Sequence, residues 1–290
     1  MNTYRLSHYG LIRISGIDAT KFLQGQVTCD VREVTDQQSR LGAHCDVKGR
    51  VQVTFRLFKF NEDYYLLLLK NLIDHTLKLL NKYAVFSKVK LEDISEQWSI
   101  IGLSGTLTDM PTNIDAATRI ENCVVIRVPS ATPRCIIIGE NANLQKLQQQ
   151  LANELQTAEI EAWELLDIQA GIPTIYPETI GLFTPHDINY PQINGVSFNK
   201  GCYTGQEIIA RMQFLGKLKQ HLYRIQFAAD AAPAIGTPLV DDAGHSVGTI
   251  IKTAAGSAQH FEALAVLQDK ALTSVIRIAN AAQTIVQLCI

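Results

Sequence analysis

The last quarter of the chain places the strongest limit on the fold that this sequence can adopt. Beyond about residue 217 the apolar residues occur in short runs between Gly and Pro turns, at 223–227, 236–240, 247–251, 263–267, 274–278 and 284–288. Short strands at such regular spacing are typical of a closed sheet, in which no strand edge is left unpaired. The sequence therefore predicts a small β-barrel at residues 217–290.

Two α+β units are predicted ahead of this barrel. Lys48-Gly49 marks a hairpin turn, residues 64–69 are expected to form a strand that is buried on both faces, and a helix follows from a cap near Asn71. The order of strand, hairpin and helix recurs over residues 100–155. The chain is therefore expected to be an α+β protein that ends in a barrel.

The N-terminal region is expected to contain two short strands around a helical turn. The strands are predicted at 4–14 and 26–31, and the turn runs from Asp18 to Leu23. Because an aspartate before a helix accepts hydrogen bonds from its first N–H groups, Asp18 is the predicted N-cap.

The segment 171–199 differs from the rest, since it is rich in Pro, Gly and Asn and is long for a connection. Long ordered loops in compact domains usually serve a function. The predicted boundaries are a first α+β unit at 1–90 to which part of 160–216 returns, a second α+β unit at 91–160, a loop and motif segment at 161–216, and the barrel at 217–290.

Charge and cysteine content exclude several classes of protein. The net charge is −2, from 26 basic and 28 acidic side chains, so no direct nucleic-acid partner is expected. No apolar run is long enough for a membrane span and the N-terminus lacks a signal-peptide layout, which predicts a cytoplasmic protein without a membrane partner. The scattered cysteines predict no resident metal or cluster and no disulfide framework; they are Cys29, Cys45, Cys123, Cys135, Cys202 and Cys289.

One short motif combines a helix start with a cysteine. Thr204 is followed three residues later by Glu207 and then by an apolar run, which predicts a capping box with Thr204 as the N-cap. Glu207 and Arg211 are then expected to face each other across one helical turn. Cys202 would precede the helix N-terminus with Lys200 beside it, and both features lower the pKa of a thiol. The alternative is a capped helix with a passive cysteine in its lead-in.

The eight residues Lys200-Gly201-Cys202-Tyr203-Thr204-Gly205-Gln206-Glu207 resemble the signature of the YgfZ branch of the glycine-cleavage T-protein superfamily. Further segments are similar to that family at 22–28, 42–50, 82–89, 169–173 and 195–198. The resemblance implies a T-protein-like ring of three domains, in which two ferredoxin-like α+β units and a C-terminal β-barrel surround a central channel. It also implies that the channel binds a folate such as tetrahydrofolate.

The resemblance places three residues at the folate. Tyr9 and Trp163 match aromatic positions that contact the cofactor, and an aromatic face can stack on a flat pterin. The alternative for both is an aromatic residue of the core. Gln169 stands where related folate proteins often have a glutamate, and its amide would pair with the pterin edge less strongly than a carboxylate.

The resemblance also bears on the reaction. Aminomethyltransferases of this superfamily use an aspartate early in the helix that is predicted from Asn71, whereas this chain has Thr76 there and Asp74 nearby. We therefore expect a folate-dependent accessory protein for iron–sulfur cluster assembly or repair in client enzymes, including tRNA-modifying radical enzymes, with Cys202 as a reactive thiol. The alternatives are a folate-dependent one-carbon transferase or demethylase, and an RNA-binding protein.

Basic residues near the motifs are candidates for holding the carboxylates of the folate's glutamate. They are Lys48, Arg50, Arg211 and Lys217. Lys48 and Arg50 are more simply interpreted as ordinary hairpin charges, and Arg211 as the partner of Glu207.

Overall fold

A computed structural model of the chain describes residues 1–256, 260–279 and 281–289. The chain divides into two compact units, each built from segments that are distant in sequence. The first comprises Met1–His44, Val53–Ile160 and Asn194–Thr204, and the second comprises Cys45–Gln52, Glu161–Ile193 and Gly205–Ile290.

The first unit contains two sheets and three helices among its described residues. The strands are β1 (Asn2–Arg5), β2 (Tyr9–Ser15), β3 (Arg40–Cys45), β4 (Val51–Phe60), β5 (Asp63–Leu69), β6 (Lys90–Asp93), β7 (Trp98–Ser104), β8 (Ala117–Ile120), β9 (Cys123–Arg127), β10 (Arg134–Glu140) and β11 (Gln156–Thr157). The helices are α1 (Ala19–Gln24), α2 (Ile73–Ala84) and α3 (Asn141–Gln150).

Each sheet of the first unit packs with one of the longer helices. One sheet has the order β3-β4-β5-β2-β6, with α2 against β2 and β6, and the other has the order β11-β1-β7-β10-β9-β8, with α3 against β7 and β10. Residues 64–69 of β5 are all buried, which confirms the predicted strand with two buried faces. The recurrence of strands and helix is confirmed as well, although β1 at the start of the chain joins the second sheet.

The N-terminal region differs from its prediction in two places. The strand expected at 4–14 is divided into β1 and β2 by a turn in which the Tyr9 N–H donates to the Leu6 carbonyl at 3.2 Å. The strand expected at 26–31 is wrong, since the chain makes one bridge at Val27 and then turns. Asp30 fixes this turn because its carboxylate accepts the Arg32 N–H at 3.0 Å.

Neither predicted side-chain cap of this unit forms. Asp18 does precede α1, but its carboxylate accepts the N–H of Lys88 at 2.7 Å instead of an N–H group of the helix. Asn71 lies inside a 3₁₀ turn, and α2 begins only at Ile73 after Leu72. At Asp18 the N–H of Lys88 competes with the helix for the carboxylate. At Asn71 a 3₁₀ turn takes the place of the first turn of the helix.

The second unit contains two helices and the barrel strands. Its elements are α4 (Ile160–Gln169), α5 (Gln206–Leu215), β12 (Gln220–Ala228), β13 (Pro238–Val240), β14 (Ser246–Ala255), β15 (His260–Gln268), β16 (Ile276–Ile278) and β17 (Ala281–Leu288). Among the helices that the structure describes in either unit, none has the length and apolar character needed to cross a membrane.

The strands β12-β15-β14-β13-β16-β17 form a closed barrel, which confirms the prediction for the last quarter of the chain. Alternate residues along each strand point into its interior, as the two-residue period of a strand requires. Ile225 and Phe227 of β12 thus share one core cluster with Ala263, Ala265 and Leu267 of β15.

The Pro- and Gly-rich segment is ordered without strands of its own. It contains 3₁₀ turns at Pro177–Thr179 and Tyr190–Ile193, and within the second unit it is attached to Val51, whose N–H donates to the Phe183 carbonyl at 2.8 Å. Thr184 donates its backbone and hydroxyl groups to the Asp187 carboxylate at 2.7 and 2.9 Å. These hydrogen bonds between buried residues help to keep the segment ordered without strands.

A buried ion cluster joins α4 to the barrel wall. The ammonium group of Lys252 on β14 is 1% exposed and lies 2.6 Å from a Glu164 oxygen and 2.9 Å from an Asp167 oxygen. Two carboxylates therefore share one buried positive charge.

Replacing Lys252 with Met is expected to lower the free energy of unfolding by about 3–5 kcal/mol, because it leaves two carboxylates uncompensated in the interior. Lys70 is the matched control, since its ion pair with Glu96 is exposed at both partners. Lys70→Met should lower the same quantity by less than about 1 kcal/mol. Urea denaturation measures both variants, and equal losses would contradict this role for Lys252.

Candidate functional site

A loop of the first unit, residues 194–204, is held against residues 25–29 by buried hydrogen bonds. Thr28 makes two of them. Its hydroxyl donates to the Gly195 carbonyl at 2.6 Å, and its own carbonyl accepts the Ser197 N–H at 2.9 Å. Its N–H and hydroxyl also pair with Ala43 on β3, so the loop is connected to the sheet through this single side chain.

Lys200 is the second attachment of this loop. Its side chain is buried, and the amine donates to the carbonyls of Val27 and Cys29 at 2.6 and 2.7 Å. The amine also lies 4.9 Å from the centre of the Tyr203 ring. Burial lowers the pKa of Lys200 to about 8. The predicted role beside the Cys202 thiol is replaced by a structural one, because both hydrogen bonds of the amine are made to the backbone of residues 27–29.

Cys202 differs from the other cysteines in its exposure. All six cysteines lie among the described residues, and Cys202 alone is exposed. Burial raises the pKa of the Cys29 and Cys135 thiols to about 12 and that of Cys123 to about 11, and it also raises the pKa of Cys45. Because the thiolate is the reactive form, these buried thiols are inert at neutral pH.

The helix after the motif does not begin with the predicted capping box. Gly205 is the N-cap of α5, with φ +84° and no side-chain cap, whereas Thr204 uses its N–H to donate to the Gly25 carbonyl at 3.2 Å. A Cβ atom on Gly205 would stand 2.5 Å from the Asp46 carbonyl oxygen. Glycine is required here for two independent reasons, the left-handed backbone and the missing space. Glu207 and Arg211 are both exposed, and among the described residues no ion pair joins them.

In the second unit the start of α5 rests on the hairpin turn that the sequence predicts at Lys48-Gly49. The Asp46 carboxylate accepts the N–H groups of Lys48 and Arg50 at 2.9 Å each, which fixes the turn. Gly49 has φ +72°, and a Cβ atom placed on it would stand 3.3 Å from side-chain atoms of Ile208 and Ile209. The turn and the last residues of the motif therefore form one packed structure.

Three of the four basic candidates line one cavity of about 900 Å³ in the second unit. They are Lys48, Arg50 and Lys217, while Arg211 is not among the lining residues. Arg50 donates to the Leu182 carbonyl at 2.7 Å and lies 3.9 Å from the Asp187 carboxylate. Arg50 therefore also holds the ordered loop, which agrees with its simpler interpretation.

The residues expected at a folate fit that group unequally. Tyr9 is half-buried and lines a cavity of about 640 Å³ in the first unit, with its ring centre 4.2 Å from that of His8. Trp163 on α4 is 1% exposed, so its ring presents no open face for stacking. Gln169 is exposed, and its amide donates to Glu262 at 3.0 Å. Tyr9 and Gln169 are accessible to a ligand, whereas Trp163 belongs to the core of its unit.

The position on α2 at which this chain lacks the aspartate of the aminomethyltransferases is not available for a reaction. Thr76 is buried, and its hydroxyl donates to the Leu72 carbonyl at 2.7 Å inside α2. Asp74 lies in the exposed part of the first turn of the same helix. In the part of the chain that the structure describes, no group of three or more His, Cys, Asp and Glu side chains is placed to hold a metal ion.

Sequence reasoning missed two residues that build this site. Thr28 and Asp46 both lie in segments that match the family, at 22–28 and 42–50, but neither spacing nor composition marks a hydrogen bond across more than 160 residues such as that from Thr28 to Gly195. The only signal in the sequence was a polar residue between apolar ones, since Thr28 lies between Val27 and Cys29.

The low pKa of Lys200 predicts a pH dependence of stability. Below about pH 8 the Lys200 amine is protonated in both the folded and the unfolded state. The full cost of burying its charge then lowers the free energy of unfolding. Between that pH and the unfolded value of about 10.4 the unfolded chain binds more protons, so the free energy of unfolding rises with pH. The neutral amine still has two N–H groups for its two carbonyls.

Urea denaturation of the wild type and of Lys200→Met between about pH 7 and pH 10 isolates this effect, since other groups titrate alike in both. The wild type should gain about 2.5 kcal/mol relative to the variant over this range. A difference that does not change with pH would contradict the burial of a charged Lys200.

Gly205→Ala is expected to destabilise the protein more than Gly244→Ala. Both glycines have a left-handed backbone, with φ +84° and +81°, but a Cβ atom has open space at Gly244 and meets the Asp46 carbonyl at Gly205. The common backbone strain costs about 1 kcal/mol, and the clash should add about 1–3 kcal/mol at Gly205. Thermal unfolding of both variants measures the difference, and equal shifts would exclude the close approach.

Comparison with known proteins places the chain in a family. Residues 3–109 match the model of the GCVT N-terminal domain. A tRNA-modifying protein YgfZ from Colwellia psychrerythraea is 39% identical, over 75% of this chain and 69% of the relative, and that from Yersinia pseudotuberculosis serotype IB is 34% identical, over 85% and 78%. The structure of the glycine cleavage system aminomethyltransferase T from Bartonella henselae superposes with a TM-score of 0.78 at 14% identity, over 99% of this chain and 84% of that one. The resemblance is therefore confirmed, and the chain belongs to the YgfZ family with the fold of the glycine-cleavage T-protein.

Proposed function

We propose that this chain is a folate-binding accessory protein that supports the assembly or repair of iron–sulfur clusters in client enzymes, including radical enzymes that modify tRNA. Its relatives are named tRNA-modifying proteins, which agrees with such clients. The observation that carries the proposal is Cys202, an exposed thiol on a loop whose neighbouring residues are fixed by buried hydrogen bonds.

The position of Cys202 is suited to a reaction with another protein. The loop is attached before it by the Lys200 amine and after it by the N–H of Thr204, so the exposed stretch between these two points is short. Apart from its two chain neighbours, no atom lies within 4 Å of the place where a Cβ of Gly201 would stand, so the space next to this backbone position is open. A thiolate is a soft ligand for iron and a nucleophile towards sulfur species, and both reactions require direct access.

Tyr9 and Gln169 are the residues that we expect at the folate. Tyr9 offers a half-buried ring in a cavity of about 640 Å³, a size that small-molecule sites commonly have. The Gln169 side chain is exposed, so its amide, which donates to Glu262 at 3.0 Å, can turn from that partner to the edge of a pterin. Tetrahydrofolate, when bound, supplies a carrier for one-carbon units. Trp163 would act behind the site, by supporting α4 from the core.

The transferase alternative finds no support in α2. One-carbon transfer in the manner of an aminomethyltransferase needs an acid at the start of this helix, and the buried Thr76 hydroxyl is already committed to the Leu72 carbonyl. Replacing Thr76 with a charged carboxylate would also bury that charge without a partner. We therefore place the reactive chemistry of this protein at Cys202.

Cys202→Ser is expected to abolish the ability of this chain to restore client-enzyme activity in a strain that lacks its own family member. The change replaces a thiol with a hydroxyl of almost the same size on an exposed loop, so stability should change by less than about 0.5 kcal/mol. Activity of a radical tRNA-modifying enzyme, measured as the modified nucleoside in total tRNA, is the readout.

Cys289→Ser is the matched control, because Cys289 is the other cysteine with appreciable exposure and lies in the barrel segment. This variant should restore activity as the wild type does. Alkylation of the native protein by a maleimide, located by mass spectrometry, verifies that Cys202 is accessible. Full restoration by Cys202→Ser would refute the proposed role of the thiol.

A further inference from the structure

Four apolar side chains of the first unit are exposed where neither the fold nor the site described above explains them. Ile17 follows β2, whereas Tyr83, Val85 and Phe86 lie at the C-terminal end of α2 and just beyond it. Ile17 is 87% exposed, Val85 73% and Phe86 91%. These four residues form the apolar patch. Single exposed apolar side chains are common, but a group of them is typical of a surface that binds a partner.

Hydrogen bonds join the two parts of the apolar patch. The Asp18 N–H donates to the Lys88 carbonyl at 3.4 Å, and the Asp18 carboxylate accepts the Lys88 N–H at 2.7 Å. Gly16 has φ +114°, and a Cβ atom on it would overlap the Lys88 carbonyl oxygen, so only glycine permits this close approach. The backbone on both sides of Ile17 is therefore fixed against a residue that lies two positions after Phe86.

Lysines adjoin each part of the apolar patch. Lys21 on α1, Lys82 on α2 and Lys88 beyond α2 are exposed, and among the described residues none of them forms an ion pair. Asp18 contributes one negative charge beside these three positive charges, so the surface is basic although the chain has a net charge of −2. The complementary surface of a partner is an apolar pocket with carboxylates at its edge.

The apolar patch and Cys202 adjoin opposite ends of α1. Ile17 precedes this helix of six residues, and Gly25, which follows it, accepts the Thr204 N–H. Six helical residues span about 9 Å, and two residues of extended chain add at most about 7 Å at each end. An interface of about 800 Å² per partner is about 30 Å across, so a single partner can cover both the apolar patch and the thiol.

We propose that the apolar patch is the docking site of the client protein on which Cys202 acts, and that the client presents an apolar pocket edged with carboxylates. The inference rests on the proposed function, and it names the surface that holds the client. Phe86 enters the pocket as an aromatic anchor, and the three lysines face the carboxylates. Four apolar side chains bury less surface than a permanent complex needs, so the client is released after the reaction.

A membrane surface suits the apolar patch less well. The lysines would also attract anionic lipids, but membrane binding increases with the apolar area that is buried, and even one fatty acyl chain gives only marginal binding. A bilayer also offers no reactant to the Cys202 thiol nearby. A protein partner explains the patch, its charge and its distance from the thiol together.

The test measures client-enzyme activity, as the modified nucleoside in total tRNA, in a strain that lacks its own family member and carries the variant Val85→Ser, Phe86→Ser. At a low cellular level of the chain, this variant should restore at least about tenfold less activity than the wild type. Because docking follows mass action, a level about a hundredfold higher should recover the activity. Cys202→Ser should stay inactive at both levels, since it lacks the reacting group.

Phe214 and Leu215 provide the matched control, because they are another adjacent aromatic and aliphatic pair, 69% and 84% exposed, in the second unit. Phe214→Ser, Leu215→Ser should restore activity as the wild type does at the low level. In the Val85→Ser, Phe86→Ser variant, thermal unfolding and the rate at which a maleimide alkylates Cys202 should equal those of the wild type. An equal loss in the control, or a slower alkylation of the thiol, would overturn the docking role.

A second variant tests the charge of the docking site without changing the apolar side chains. Lys21→Glu, Lys82→Glu, Lys88→Glu replaces attraction by repulsion at the carboxylates of the client, so restoration at the low level should again fall at least about tenfold. These lysines are exposed, and the fold should be retained. Wild-type restoration by this variant would contradict an acidic partner.

Photo-crosslinking identifies the occupant directly. With Phe86→p-benzoylphenylalanine, irradiation of the cells should link the apolar patch to the radical tRNA-modifying enzyme whose activity is measured, at a peptide that contains Asp or Glu. Links to lipid, or to a second copy of this chain, without a link to that enzyme would overturn the inference. Full restoration by Cys202→Ser, with a loss in the Val85→Ser, Phe86→Ser variant, would refute the reactive thiol and keep the docking surface. The reverse result would keep the proposed function and overturn the docking surface.

Discussion

The buried amine of Lys200 is the interaction on which the candidate site depends. It donates to two carbonyls at 2.6 and 2.7 Å, and these carbonyls belong to a stretch that turns away from the sheet after Val27 and so leaves them without ladder partners. A buried carbonyl without a hydrogen bond is costly, and a lysine amine can reach two of them at once. Burial also lowers the pKa of the amine, which means that holding the loop in this position reduces the free energy of unfolding while the amine is charged.

Several residues of the motif are each held by a different contact. Lys200 and the buried Tyr203 hold the loop in the first unit, and Thr204 adds a backbone hydrogen bond to Gly25. Gly205 supplies the left-handed turn into α5 at the boundary between the two units, and in the second unit it fits against the Asp46 carbonyl, where no larger residue has space. Each of these residues is fixed by a different contact, and a contiguous signature of this kind is therefore hard to vary.

The parts of the fold that follow from local periodicity were predictable, and the parts that depend on distant partners were not. The barrel and the buried strand β5 are visible in the alternation and the apolar runs of the sequence. The capping box at Thr204 is a sound local pattern, yet the structure uses Gly205 instead, because the hairpin turn at Asp46 requires a residue without a side chain at that point. Asp18 stands at the predicted N-cap position of α1 but makes no side-chain cap for the same kind of reason, since its carboxylate accepts the N–H of Lys88. At the site, Cys202 is exposed, and the Lys200 amine, which the sequence predicts beside the thiol, donates to the backbone of residues 27–29, which no local pattern indicates.

Gly201 and Cys202 are two adjacent residues of the motif to which none of the contacts described above assigns a structural requirement. Gly201 has a backbone outside the left-handed region and open space around its Cβ position, so the fold would accept a larger residue there. Cys202 is exposed and packs against no core. A glycine that the fold does not need, beside the one exposed cysteine of the chain, keeps the approach to the thiol free of side chains. The structural contacts of the other motif residues then serve to present this short open stretch in a fixed position, which is the property that a thiol acting on a partner protein requires.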